Sequence, residues 1–256
     1  MESLRVTLVQ TELFWEDKNA NLQNFTKILE GLTDATDLVV LPEMFNSGFT
    51  MRPERVAETE KGHTVTWLKT MAGKLQAAIT GSLVIEENSN YYNRLFFVFP
   101  DGSFQTYDKK HTFTLAGEHK AYASGKERLL VTYKDWKICP LICYDLRFPV
   151  WARNTQEYDL LLYVANWPQP RILAWDALLK ARAIENMAYC IGVNRIGKDV
   201  NQNIYSGHSA AYDVLGNTLF FSEKEAAATV TLKKEHIGYY RDKLKFLQDR
   251  DNFILK

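Results

Sequence analysis

The sequence predicts an α/β protein, a mixed β-sheet system covered by helices. Three observations carry this. Short strand-like apolar runs alternate with helix-period segments along the whole chain. Several strand pairs are joined as hairpins, so the sheets are not purely parallel. No Pro/Ser-rich linker, internal repeat or shift of composition interrupts the pattern, which gives a single domain over residues 1–256, with a core at about 4–233 and a tail at 234–256. Pattern alone leaves the number of sheets open.

Residues 5–10 (RVTLVQ) read as the first strand. Residues 19–32 (NANLQNFTKILEGL) place Leu22, Phe25, Ile28, Leu29 and Leu32 on one helical face. Residues 37–41 (DLVVL) form a short buried strand that ends at Pro42-Glu43. A second helix covers 64–75, and a third strand 77–85. Residues 93–100 and 103–108 make a hairpin around Asp101-Gly102, a dipeptide that accepts the positive φ angles of a tight turn. Residues 129–133 and 136–143 pair around Lys134-Asp135. A short helix at 150–156, a buried strand at 159–164 (DLLLYV), a helix at 174–185 and a strand at 189–195 follow. Two late strands, near 209–212 and 227–232, flank a turn at Gly216-Asn217. Residues 233–256 are charged and partly helical.

Thirty-one basic and 31 acidic side chains balance to a net charge of zero, and no run of five like charges occurs. That speaks against nucleic acid or an anionic membrane as partner. The first residues, MESLRVTLVQ, run straight into a strand and do not read as a signal peptide. Uncharged stretches such as 160–170 fall short of a membrane span. Cys139, Cys143 and Cys190 are odd in number, which argues against a disulfide framework and for a reducing compartment. A cytoplasmic protein is expected.

Cys143 lies in ICPLICYDLRFPVWARN, residues 138–154. An apolar strand runs into it and polar residues with a proline follow, so it stands at a strand end entering a sharp turn. Strand ends of α/β sheets hold catalytic groups at clefts because a rigid scaffold lies beneath them. The thiolate is the reactive form, so a nucleophilic cysteine needs a neighbouring base or cation. Cysteine is also among the most buried residue types, and position alone leaves Cys143 open between core filler and nucleophile. Cys139 and Cys190, inside apolar runs, read as inert core. The spacing of Cys139 and Cys143 is not the C-x-x-C of redox or zinc sites.

One of the histidines His63, His111, His119, His208 and His236 could be the base. A carboxylate is more economical. Glu43 follows DLVVLP at the mouth of a buried strand, where a charge is costly unless solvated, paired or functional. Lys109, in YDKKH, follows a strand in the same way. Three strand ends far apart in the chain can converge on one cleft.

Taken together, LPEMFNSGF around Glu43, YDKKHTF around Lys109 and CPLICYDLRFPVWARN around Cys143 resemble the nitrilase, or carbon–nitrogen hydrolase, superfamily. ANWP at 165–168, ARAIENMAY at 181–189 and the GHS–LGN region at 207–217 extend the similarity over essentially the whole chain. The resemblance implies a Glu43-Lys109-Cys143 triad. Lys109 rather than Lys110 carries the match, because the family places its lysine two residues before the histidine that is here His111. It also implies that Glu118, in GEHKAYASG, positions Lys109 or the substrate, and that the fold is a four-layer α-β-β-α sandwich whose protomers pair as a homodimer through helical faces. In the mechanism that fits these residue types, Lys109 and the Tyr144 backbone N–H hold the oxyanion. Every step is then proton or acyl transfer, so no metal or organic cofactor is expected.

Within the superfamily the segments look most like the omega-amidase branch, which hydrolyses the terminal amide of 2-oxo acid amides such as 2-oxoglutaramate and 2-oxosuccinamate. A small-molecule amide with a carboxylate needs a clamp, and Arg147, Arg171 or Arg195 could supply bidentate pairing. Arg147 is so close to Asp145 that a structural ion pair is the favoured reading for it. Phe45, Phe49, Tyr144 and Trp167 could wall the pocket, with core packing an equal alternative for Phe45. Phe49 stands where related omega-amidases can carry Tyr. Arg182 and Glu185 suit a helix-face salt bridge, and His111 and His119 read as loop hydrogen-bonders. The competing readings are another carbon–nitrogen hydrolase (an aliphatic amidase, an N-carbamoyl amidase or a nitrilase), a non-catalytic small-molecule binding protein on the same fold, and a thiol redox or zinc protein.

Overall fold

The structure, a computed structural model, describes residues 2–254; residues 255–256 of the expected tail lie outside it. The elements, in chain order, are β1 (Ser3–Gln10), α1 (Lys18–Glu30), β2 (Leu38–Val40), α2 (His63–Leu75), β3 (Ala78–Glu87), β4 (Asn90–Val98) and β5 (Phe104–Asp108). Then come α3 (Glu118–Ala121), β6 (Val131–Tyr133), β7 (Trp136–Ile142), α4 (Pro149–Ala152), β8 (Leu160–Val164), α5 (Ile172–Asn186) and β9 (Tyr189–Val193). The chain finishes with β10 (Ile196–Lys198), β11 (Ile204–Ser206), β12 (Ser209–Tyr212), β13 (Thr218–Ser222), β14 (Ala226–Lys233) and α6 (Lys234–Leu244).

Two six-stranded sheets form, in the orders β14-β1-β2-β3-β4-β5 and β13-β12-β9-β8-β7-β6. Within them β1-β2-β3 and β7-β8-β9 run parallel, and antiparallel strands complete the edges. Strand alternation decides what each face meets. Leu4, Val6, Leu8, Leu38, Val40, Leu95 and Phe97 join Ile138, Leu141 and Leu161 in one core between the sheets. Val9, Val39, Ile79, Phe96 and Val98 face the other way, onto Leu22, Phe25 and Leu29 of α1 and Val65, Leu68 and Met71 of α2. On the second sheet α5 supplies Trp175, Leu179 and Ala183 against β9. The layers are therefore α-β-β-α. Strands such as DLVVL are uniformly apolar because both of their faces are covered.

Several elements differ from the sequence reading. β3 and β4 run longer and meet at Asn88-Ser89, where φ is 50° and 60°. This is a tight hairpin turn hidden among the exposed polar residues of 86–90. The small β10–β11 ribbon and the edge strand β13 were not expected; these strands are short and exposed or half-buried at all but one residue, so apolar periodicity is weak there. The helix expected at 150–156 is only α4, because Asn154 ends it by bonding the backbone N–H and C=O of Tyr158.

Candidate active site

Three strand ends deliver the groups expected to react. β2 stops at Val40, and the chain turns past Glu43 to Met44, which takes φ 43°. Lys109 directly follows β5, and its N–H is held by the Asn93 carbonyl at 3.0 Å. Cys143 directly follows β7, at φ 44°, and opens a 3-10 turn to Arg147. A left-handed cysteine between a strand and a turn is a strained arrangement that the surroundings must hold.

Asp145 does much of that holding. Its Oδ2 accepts the Ile142 N–H at 3.0 Å and the Tyr107 hydroxyl at 2.7 Å. Its Oδ1 accepts the His111 backbone N–H at 3.0 Å and lies 2.7 Å from His111 Nδ1. The nucleophile turn is thereby laced to the loop that carries Lys109. This corrects the expected Arg147–Asp145 ion pair: both Asp145 oxygens are taken from across the chain. His111 is a loop hydrogen-bonder as expected; exposed His119 makes no such bond.

Glu43, Lys109 and Glu118 meet in a dry cluster, with side-chain exposures of 0%, 1% and 0%. Lys109 Nζ donates to Glu43 Oε1 at 2.7 Å and to Glu118 at 3.1 and 3.0 Å. Asn93 Nδ2 donates to Glu43 Oε1 at 2.8 Å and reaches Glu118 Oε1 at 3.4 Å. The Asn166 N–H donates to Glu43 Oε2 at 2.8 Å, and its side chain donates to the Glu43 carbonyl at 2.5 Å. Glu118 also accepts the Phe113 N–H at 2.5 Å, tying the lysine to the loop that walls the pocket.

The electrostatics follow from this geometry. Burial works against the Lys109 charge, but Glu118, Glu43 and Cys143 outweigh it and raise the lysine above its ordinary value. Burial raises the Glu118 carboxyl against the pull of Lys109, and the charge of Glu43 adds to the rise. Burial also pushes the Cys143 thiol well up; Glu43 adds to the rise, while Lys109 and the Asn166 N–H oppose it. The direction of these effects favours the thiol form of Cys143. Cys139, buried in the core, is pushed up to about 12, and Cys190 is raised by the same cause.

A cavity of about 580 Å³ opens onto Cys143 and Lys109. Phe49, Tyr144, Arg147, Trp167 and Arg171 all line it. Lys109 Nζ sits 5.1 Å from the Phe49 ring centre. The Arg147 guanidinium lies over Trp167 at 4.9 Å and that of Arg171 over Phe113 at 5.0 Å, and neither has a carboxylate partner among the described residues. The Tyr144 N–H, in the first turn of the 3-10 segment, has no acceptor inside it.

Two expected wall or clamp residues lie elsewhere. Arg195 is fully buried and donates to the carbonyls of Leu13, Ile196 and Lys198, with its guanidinium over Tyr205. It is a strut rather than a cavity contact, because its Nε and Nη2 are spent on backbone carbonyls and it does not line the cavity. Phe45 packs in the core against Phe25 and Trp67. Arg182 pairs with Glu185 at 2.9 Å. Sequence reasoning gave Asn93, Asn166 and Asp145 no such role; Asn166 and Asp145 fall in the family-like segments ANWP and CYDLRF, whereas Asn93 lies inside β4 and carried no signal. No cluster of three or more His, Cys, Asp or Glu groups among the described residues is placed to hold a metal ion.

The carbon–nitrogen hydrolase family pattern matches residues 5–242. The chain is 44% identical over 259 residues to the omega-amidase YafV of Yersinia enterocolitica, covering 100% of both chains. It is 31% identical over 219 residues to the 2-oxoglutaramate amidase of Bacillus subtilis (strain 168), covering 84% of each. The fold matches XC1258 of Xanthomonas campestris, a CN-hydrolase superfamily protein with an arsenic adduct in its active site, at a TM-score of 0.98 and 43% identity over 100% of both chains. With strand ends, layers and full-length likeness in agreement, the chain belongs to the carbon–nitrogen hydrolase family of the nitrilase superfamily.

Proposed function

We propose that the protein is an omega-amidase, converting 2-oxo acid amides such as 2-oxoglutaramate or 2-oxosuccinamate to the 2-oxo dicarboxylate and ammonia. One observation carries the substrate reading. The cavity that opens onto Cys143 and Lys109 also holds two guanidiniums, Arg147 and Arg171, without carboxylate partners. A carboxylate at the far end of a short amide satisfies them bidentately while its amide reaches the sulfur.

The chemistry follows from the protonation states. Cys143 rests as a thiol, so Glu43 takes its proton as sulfur attacks the amide carbonyl. The oxyanion is met by the Lys109 ammonium and the Tyr144 N–H, each such donor contributing about 3–4 kcal/mol. Protonated Glu43 returns its proton to the departing ammonia, leaving a thioester on Cys143. Water, deprotonated by Glu43, cleaves that thioester. Glu118 keeps Lys109 in place, and Phe49 and Trp167 wall the substrate.

Ammonia release from 2-oxoglutaramate, compared with aliphatic nitriles and N-carbamoyl amino acids, tests the reading. Faster turnover of either comparison class replaces it with another carbon–nitrogen hydrolase activity. Mass spectrometry of the quenched enzyme should place the acyl group on the Cys143 peptide. The need for a free thiol supports a cytoplasmic location. Exposed Val150, Ile184 and Phe253 support a homodimer, which light scattering checks.

A further inference from the structure

Asn93 touches three members of the buried cluster from one position on β4. Its carbonyl holds the Lys109 backbone, and its amide donates to Glu43 and reaches Glu118. It is 1% exposed, and its own Oδ1 is buried without a partner. An orphaned buried acceptor calls for an explanation. Flipping the amide would set that oxygen against two carboxylates, so the orientation is dictated by the charges and the orphan is the lesser cost.

The two oxygens of Glu43 are unequal as a result. Oε1 receives Lys109 at 2.7 Å and Asn93 at 2.8 Å. Among the described residues Oε2 receives only the Asn166 N–H, at 2.8 Å. Asn166 lines the same cavity as Cys143, so the oxygen it holds is the one on the cavity side of the carboxylate. We propose that Asn93 is the positioning residue of the proton transfer: by occupying Oε1 together with Lys109, it leaves Oε2 as the oxygen that takes the Cys143 proton. The proposal rests on Glu43 being the base. In the step, the S–H bond breaks and its proton bonds to Oε2. The sulfur electron pair forms the S–C bond, and the carbonyl π pair moves to oxygen. The titratable groups around Glu43 are Lys109, Glu118 and Cys143, with the Tyr122 and Tyr205 hydroxyls also within its field.

The test is the pH profile of two variants, read both as amide turnover and as the rate of Cys143 alkylation by iodoacetamide. Alkylation needs no knowledge of the natural amide, so it separates failure of this inference from failure of the substrate assignment. Asn93→Leu removes a donor that favours ionised Glu43. The acid limb should move to higher pH, with turnover on its former lower shoulder falling by up to about 10-fold for each pH unit of displacement. Asn93→Asp is a donor only when protonated, so its rate relative to the native enzyme at the same pH should fall as the added carboxyl ionises. Thermal melting of both variants identifies any that fail to fold; for such a variant Asn93→Ser supplies the measurement, with the same shift expected as for Asn93→Leu. A folded variant whose two rates fall by one factor at every pH, or do not fall, overturns the proposal.

Discussion

Asn93 and Arg94 are neighbours on β4, so they face opposite sides of the first sheet, and each serves a cluster in which one cation is shared by several carboxylates. Arg94 pairs with Asp108 at 2.7 Å, Glu60 at 2.8 Å and Glu87 at 3.1 Å, and those carboxylates are 23%, 37% and 47% exposed. Lys109 pairs with Glu43 and Glu118, both fully buried. In the wet cluster water screens each carboxylate, and the guanidinium joins a hairpin to its surroundings at little net gain. In the dry cluster no water relieves the second carboxylate, so every pairwise term is large. The same recipe is a brace where solvent enters and, in the proposed mechanism, a proton-transfer device where it is excluded.

The comparison can be broken most severely at the nucleophile. Cys143→Ala should abolish ammonia release, and Glu43→Gln should reduce it by about 10³–10⁴-fold while the fold persists. Steady-state assays and circular dichroism check both; substantial turnover in either variant would remove the dry cluster from the chemistry. Lys109→Met comes next. It removes an oxyanion donor, for about 10²–10³ in kcat, and strands two buried carboxylates, for about 3–5 kcal/mol of stability. Adding Glu118→Gln should recover part of that stability, as denaturant unfolding would report, but none of the rate.

At the cavity wall, Arg147→Ala and Arg171→Ala should each raise KM for 2-oxoglutaramate by about 10–100-fold, as lost charge-assisted hydrogen bonds do. Turnover of a neutral amide such as propionamide should change much less; equal losses on both substrates would mean the arginines only shape the cavity. Asp37 offers the inverse arrangement, one carboxylate between two cations, Arg5 and Lys134. Burial pushes its carboxyl up, but the hydrogen bonds from Arg5 and Lys134 outweigh it and hold it below the usual carboxylate range. Its contribution, about 2 kcal/mol, is therefore present above about pH 4 and lost as pH falls through the folded value. Urea unfolding of Asp37→Asn should show that deficit at pH 7 and less of it at pH 3. The smallest effect is expected for Arg94→Met: about 1 kcal/mol, partly abolished by salt, with kcat unchanged within twofold.

Much of this was legible along the chain. Apolar runs that stop abruptly at DLVVLP-Glu43, YD-Lys109 and CPLI-Cys143 marked three strand ends, because strand burial and loop polarity are written in adjacent residues. The helix faces of α1 and α2 were readable from their spacing for the same reason. Arg147 was misread because proximity in sequence was taken for pairing, while Asp145 is claimed by Tyr107, His111 and Ile142. Arg195 was misread because an arginine after a strand can turn inward to backbone carbonyls as readily as toward a cleft.

By itself, then, the sequence determined the alternating elements and the places of Glu43, Lys109 and Cys143 at strand ends, since these depend on local hydrophobicity and residue chemistry. Only the tertiary structure decided which sheet each strand joins, that Asn93 and Asn166 divide the two oxygens of Glu43, and that Arg147 faces the cavity free of an ion pair. Those outcomes rest on contacts between residues as far apart in the chain as Glu43 and Asn166, whose meeting depends on how the two sheets stack.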